Sequence, residues 1–319
     1  MQVPPVTRRL LRRSLILQAA GTALAVGGAA YYFTHPQRVA AQLPERFQPA
    51  MQSVTITGSD GAPLHGLWIP GSGPDGKPFA RTIVHHHGYN SCAGVLLARK
   101  AIFSRALAPV RRPEQRESLC AWPVVDEGLR RGHNFLLVDA RAHGKSGGVW
   151  DPTGELAISD AARWATWLRN EHTQLWVGLW GNSFGASVGL GLAVRGSGGG
   201  YDAMVLDSPP VMPEGVYSGV VRPPFYGMIQ PVMRRLGNKQ LYTMLKAQRP
   251  WMPILLIHGV NDGHVPAWQS ERVYEALRDP AHPEQTAFWL VPAAGHLEAL
   301  ELRQEEYVRR TLDWFDKWL

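Results

Sequence analysis

The chain has 319 residues, 45% hydrophobic and 18% charged, which is the composition of a folded globular protein rather than a disordered or multi-span membrane chain. Of its net charge of +7, four units sit on Arg8, Arg9, Arg12 and Arg13, so the rest is close to balanced and lacks the clustered basic stripe that nucleic-acid binding needs. Two cysteines exclude a disulfide scaffold and a four-thiolate zinc site.

The uncharged stretch at 14–33 is just long enough, at about 1.5 Å per residue, to cross a hydrocarbon core of about 30 Å. The arginines before it predict a cytoplasmic N-terminus and a chain that continues across the membrane. A cleaved leader competes with this anchor. Residues 15–22 read as a short apolar region, Ala23-Leu24-Ala25 as a cleavage pattern, and Arg12-Arg13-Ser14-Leu15-Ile16 as a twin-arginine export signal. A hydrophobic helix packed on the folded domain is the third reading. Residues 1–34 are therefore expected to be a membrane anchor or signal, placing the folded part outside the cytoplasm (the periplasmic side in a bacterium). Residues 35–51, with Pro36, Pro44 and Pro49, read as a linker.

From residue 52 to 319 apolar strands alternate with helices. Residues 53–57 and 64–69 flank the turn Gly58-Ser59-Asp60-Gly61 as a hairpin. Further strands are expected at 81–87, 134–139, 175–180, 203–206, 254–257 and 288–291. Helical periodicity marks 155–171, where Leu156, Ala157, Ala161, Trp164 and Leu168 recur on one face, and also 183–194 and 297–319. Continuously apolar strands separated by helices predict an α/β fold, a mostly parallel sheet covered on both faces. Two stretches break the alternation. Residues 104–123 are basic and carry proline, and read as an insertion. Residues 208–250 are proline-rich with scattered aromatics, too long for a connector, and read as a small helical cap.

G-x-S-x-G occurs at 144–148, 181–185 and 185–189. A nucleophile elbow needs a strand ending at the first glycine and a helix beginning after the serine, and only Gly181-Asn182-Ser183-Phe184-Gly185 has both. Ser146 lies in a glycine-rich loop and Ser187 one helical turn further in. Ser183 is thus the expected nucleophile. Its hydroxyl needs a base, and the base a carboxylate to orient it. Asp262 follows the 254–257 strand and His296 follows the 288–291 strand, giving the order Ser183, Asp262, His296. Asp207, also at a strand end, is the alternative acid, and His264 the alternative base. The oxyanion needs two N–H donors: Phe184, which opens a helix, and a residue in His87-Gly88-Tyr89-Asn90, with Tyr89 preferred and Asn90 the alternative.

With His87-Gly88, Asp139-Ala140-Arg141-Ala142-His143-Gly144-Lys145-Ser146, the elbow, the Asp262 loop and Gly295-His296, the chain resembles the α/β-hydrolase superfamily over residues 53–319. Within it the chain looks most like membrane-anchored serine hydrolases of the serine-aminopeptidase-like and lipid- or protein-deacylating branch. The resemblance implies an eight-stranded α/β-hydrolase sheet and a catalytic triad. It does not fix a substrate. The 104–123 insertion departs from compact members.

The expected function is hydrolysis of a carboxylic ester or thioester with a small acyl group, requiring neither cofactor nor metal. His85-His86-His87 suggests a metal site, but strand alternation leaves only two of the three on one face. Cys92 and Cys120 flank the insertion and read either as a pair, in an exported chain, or as two unrelated buried thiols. Trp150, Trp251 and Trp268 follow strand ends and are candidates to line an acyl pocket. Two alternatives stand beside the esterase: a peptidase trimming small peptides, and an inactive binding scaffold.

Overall fold

The computed structural model describes residues 20–319 apart from 25, 29, 32–33, 37, 40–42, 49, 74–75, 98–118, 197, 220, 222, 237–240 and 248–249. The chain enters its sheet through a hairpin, β1 (Gln52–Thr57) antiparallel to β2 (Pro63–Ile69), closed by the Gly58 N–H on the Ala62 carbonyl at 2.8 Å. β3 (Arg81–His86) follows, then a small hairpin of β4 (Val95–Leu97) and β5 (Leu119–Cys120). The remaining strands are β6 (His133–Val138), β7 (Trp176–Asn182), β8 (Ala203–Asp207), β9 (Ile254–Gly259) and β10 (Thr286–Val291). Eight of them form one sheet in the order β1-β2-β6-β3-β7-β8-β9-β10. β2 runs antiparallel to β6, and from β6 to β10 every pairing is parallel. This is the mostly parallel sheet that the apolar strand pattern predicts, with the eight strands that the α/β-hydrolase resemblance implies.

Period-two alternation divides the strand residues between two cores. Leu136, Val138, Leu179, Met204, Leu206 and Leu256 face α2 (Glu155–Glu171) and α3 (Phe184–Ala193). Phe135, Leu137, Trp180, Val205, Leu255 and Ile257 face the helix α1 (Trp122–Arg130) and the C-terminal helices. Truncating one such leucine to alanine costs about 2–5 kcal/mol. α2 begins and ends where the periodicity places it. The C-terminal helix does not run unbroken. Leu297 takes φ +59°, and Arg303 separates α7 (Ala299–Leu302) from α8 (Gln304–Trp318).

Between β8 and β9 lie the cap helices α4 (Pro223–Leu236) and α5 (Leu241–Ala247), with Leu241 and Leu245 buried in the α2/α3 core. The approach to the cap is held by α6 (Trp268–Leu277). The buried Gln269 side chain accepts the N–H groups of Val211 and Met212 and donates to the carbonyls of Met212 and Glu214, all at 2.8–3.0 Å. Of the 104–123 insertion, residues 104–118 lie outside the described residues, and the remainder forms β5 and the start of α1.

The expected membrane anchor is corrected. Among the described residues no helix is long and apolar enough to cross a membrane. Residues 20–24, 26–28 and 30–31 are helical, while the N-terminal part of the 14–33 stretch and its preceding arginines lie outside the described residues. Membrane attachment, and the placement of the catalytic region across a membrane that followed from it, are therefore withdrawn.

Candidate active site

Ser183 sits alone between the end of β7 and the first turn of α3, with φ +50° and ψ −113°. A residue carrying a Cβ is strained there, and it persists because its surroundings fix it. The Ser183 N–H donates to the Asp207 carbonyl at 2.8 Å, and the Ser183 carbonyl accepts the Ser187 N–H at 3.1 Å. Glycine at 185 is a packing requirement. A Cβ on Gly185 would stand 2.1 Å from the His86 carbonyl oxygen, at the point where α3 crosses the end of β3.

The loops after β7, β9 and β10 bring three side chains together. Ser183 Oγ lies 2.9 Å from His296 Nε2, and His296 Nδ1 lies 2.7 Å from Asp262 Oδ2. Asp262 Oδ1 accepts the backbone N–H groups of His264 and Val265, both at 2.8 Å. Burial works against a charged His296 ring, but the adjacent Asp262 charge and hydrogen bond, helped by Asp207 and Glu298, hold its pKa above the ordinary imidazole value. Burial would raise Asp262. Its partners His296 and His258 reverse this and keep the carboxyl well below the usual range.

The alternatives raised by the sequence have other partners. Ser146 is fully buried, donating to the Asp139 carbonyl at 2.7 Å and accepting the His65 N–H at 2.8 Å. Ser187 donates to the Pro210 carbonyl at 2.7 Å. The Asp207 carboxyl accepts Ser208 Oγ at 2.9 Å and the Tyr307 hydroxyl at 3.0 Å, and burial pushes its pKa up to about 6. His264 stacks beside His296 with ring centroids 5.2 Å apart, and burial lowers its pKa to about 4.

A Cβ on Gly88 would lie 3.3 Å from the Ser183 Cβ, so the 87–90 loop runs against Ser183. The Asn90 N–H is taken by His143 Nε2 at 3.2 Å. The Tyr89 and Phe184 rings both pack on Trp150, with centroids 4.9 and 4.7 Å away. Trp150 thus stands beside the elbow. Trp251 is largely exposed, and Trp268 packs under Arg272 at 4.8 Å.

A second serine–histidine–aspartate chain, missed at the sequence level, meets the first at Asp262. His258 Nδ1 lies 2.7 Å from Ser270 Oγ, and His258 Nε2 lies 2.8 Å from the Val265 carbonyl and 3.2 Å from Asp262 Oδ2. Ser270 belongs to α6, which the sequence pattern did not reveal. His258, in Ile257-His258-Gly259, was the available signal.

The consecutive histidines enter separate networks. His85 meets Asn182 Oδ1 at 2.7 Å, His86 meets the Tyr201 hydroxyl at 3.2 Å, and His87 pairs with the Gly88 carbonyl and accepts the Ala140 N–H. Among the described residues no group of three or more His, Cys, Asp or Glu side chains is placed to hold a metal ion. Cys92 and Cys120 are not bridged.

Fold and site together define a serine-hydrolase-type enzyme of the α/β-hydrolase fold. Residues 129–319 match the prolyl oligopeptidase family, and the chain belongs to that family. This corrects the expected serine-aminopeptidase-like, membrane-anchored branch, and an active enzyme replaces the inactive-scaffold alternative. The chain is similar to YfhR of Escherichia coli K12, at 27% identity over 263 residues, covering 82% of this chain and 78% of that protein. Among solved structures it resembles the Pyrococcus furiosus esterase Pf2001 (23% identity, TM-score 0.66, covering 90% of this chain and 98% of that one). It also resembles the Pyrococcus horikoshii acylaminoacyl peptidase (15% identity, TM-score 0.58, covering 83% of this chain and 41% of that one). At these identities the two structures bear on the fold alone.

Proposed function

We propose that the chain hydrolyses a carboxylic ester or thioester through Ser183, His296 and Asp262. The observation that carries the reading is the continuous hydrogen-bonded line from Ser183 Oγ through His296 to Asp262, which starts at a strained serine between strand and helix. In the first step Oγ attacks the acyl carbon while His296 Nε2 takes its proton. The tetrahedral oxyanion is held by the N–H groups of Phe184 and Tyr89. Phe184 opens α3, so its N–H has no carbonyl a turn earlier in the helix to bond. Collapse of the intermediate passes the His296 proton to the leaving alcohol or thiol and leaves an acyl-enzyme. Water, deprotonated by the same histidine, then releases the acid and restores Ser183.

The buried Ser270–His258 pair is a poorer candidate for this chemistry. Both residues are fully enclosed, and Ser270 lies within a helix with no room for an acyl carbon. Trp150, half-exposed beside Phe184, supplies an apolar surface for the acyl group.

Membership of a peptidase-named family favours a second reading, cleavage of small peptides. A peptidase that recognises a free amine would place carboxylates over the site. In 208–250 Glu214 is the one carboxylate, and it lies 3.6 Å from Arg234. The ester reading therefore comes first. The test is labelling with a fluorophosphonate probe in the wild type, Ser183→Ala and Ser146→Ala, followed by matched ester, thioester and aminoacyl-amide substrates. Loss of labelling in Ser183→Ala alone is expected. Persistent labelling of Ser183→Ala overturns the assignment, and faster cleavage of the amide than the ester overturns the substrate class.

A further inference from the structure

Asp262 has more donors than orienting one imidazole requires. Its Oδ1 takes two backbone N–H groups, and its Oδ2 receives His296 Nδ1 with His258 Nε2 at 3.2 Å. His258 is itself fixed. Val265 presents a carbonyl, which only accepts, at 2.8 Å from Nε2, so that nitrogen carries the hydrogen. Nδ1 is then an acceptor, and the Ser270 hydroxyl donates to it at 2.7 Å. The Nε2–H is shared between the Val265 carbonyl and the carboxylate oxygen that holds the catalytic imidazole.

We infer that His258 is a positioning residue for Asp262, and that Ser270 sets the tautomer in which it works. One line of side chains, Ser270, His258, Asp262, His296 and Ser183, runs from the first turn of α6 to the nucleophile. The inference rests on the proposed triad. With four donors on its two oxygens, the Asp262 carboxylate cannot turn about its Cβ–Cγ bond without breaking bonds on both. Its Oδ2 lone pair therefore stays aimed at His296. Without the His258 donor the Oδ1 pair still anchors the group, but Oδ2 keeps a single partner and the carboxylate plane can tilt. Catalysis falls while substrate binding does not. The carboxylate also loses a hydrogen bond that stabilised its charge, so it favours imidazolium at His296 more strongly. The charged and titratable groups around His296 that share in this balance are Asp262, His264, Asp207 and Glu298.

The test uses the full-length protein with a p-nitrophenyl ester, comparing His258→Gln, His258→Asn and Ser270→Ala with the wild type. A glutamine amide reaches the position of Nε2 and keeps a donor toward Val265 and Asp262. An asparagine amide reaches only the Nδ1 position and keeps the Ser270 bond alone. The expected result is a kcat about tenfold lower in His258→Asn with KM within about twofold, an acid limb of the pH profile moved to higher pH, and recovery to within about threefold in His258→Gln. Ser270→Ala keeps its fluorophosphonate labelling and loses about threefold in kcat, which serves as the measurement should His258→Asn fail to fold. Equal kcat in His258→Asn, His258→Gln and wild type overturns the inference, as does an unchanged kcat in Ser270→Ala when His258→Asn cannot be purified. Loss of labelling in Ser270→Ala would make Ser270 the nucleophile. Labelling that survives Ser183→Ala defeats the triad and this inference together. Labelling lost only in Ser183→Ala, with His258 variants like wild type, defeats this inference alone.

Discussion

The backbone of Asp207 and the backbone of Ser183 are joined at 2.8 Å, carbonyl to N–H, while the Asp207 side chain turns away to Ser208 and Tyr307. The end of β8 thus holds the elbow in its strained conformation without contributing a side chain to it. Asp207 and Asp262 both stand at strand ends, and the partners of their carboxylates separate their roles. Asp262 Oδ2 meets an imidazole that reaches Ser183, the proposed nucleophile, whereas Asp207 is held by two hydroxyls.

The pH dependence of kcat/KM follows from His296. It acts as a base only when neutral, and its surroundings raise its pKa above the ordinary value of about 6.5. Activity is expected to fall on acidification with a midpoint above that value. A flat profile between pH 6 and 8 at constant folded fraction would contradict the assignment of the base.

Asp262→Asn is expected to lower kcat by about 10³–10⁴-fold with little change in KM. The amide can present an N–H where Oδ2 now accepts, so His296 is pushed toward the tautomer that cannot receive the Ser183 proton. Steady-state kinetics with an ester substrate reads this directly, and a loss below tenfold would point to Asp207 as the orienting acid.

Gly185→Ala should be the most damaging single methyl at the elbow. The added carbon would stand 2.1 Å from the His86 carbonyl oxygen, so α3 or β3 must shift. An overpacking cost of about 1–3 kcal/mol or more is expected, with labelling of Ser183 lost before global unfolding. Urea denaturation and probe labelling on the same samples would check both.

Tyr307→Phe tests the buried Asp207. Its carboxyl is pushed up to about 6 in the fold from 3.8, so the folded state takes up a proton across that window. The associated stability is fully present below 3.8 and is lost as pH rises through about 6. The Tyr307 hydroxyl, at 3.0 Å, limits that loss by solvating the charged form. Removing it should cost about 1–3 kcal/mol at pH 8 and less at pH 5. Equal shifts in urea midpoint at both pH values would refute this reading.

Most of the sheet was legible because parallel strands buried on both faces are continuously apolar, and the loops between them carry glycine and polar residues. The positions of Ser183, Asp262 and His296, the proposed site, were legible for the same reason, since each lies just past such a strand. α6 stayed hidden because its inward face carries Gln269 and Ser270, polar residues that satisfy the cap backbone and His258 instead of packing as hydrocarbon. The break between α7 and α8 was equally invisible, because it falls at Arg303, which carries neither a glycine nor a proline signal.

The two hydrogen bonds of the Ser183–His296–Asp262 line close loops of very unequal size. Ser183 and His296 are 113 residues apart in the chain, whereas His296 and Asp262 are 34 apart. Closing the larger loop requires β7, β8, β9 and β10 to be paired in register, and such non-local contacts form late and slowly. During refolding, recovery of hydrolysis therefore lags recovery of helical signal. A chain truncated before β10 lacks His296, the proposed base, however much of its sheet has assembled.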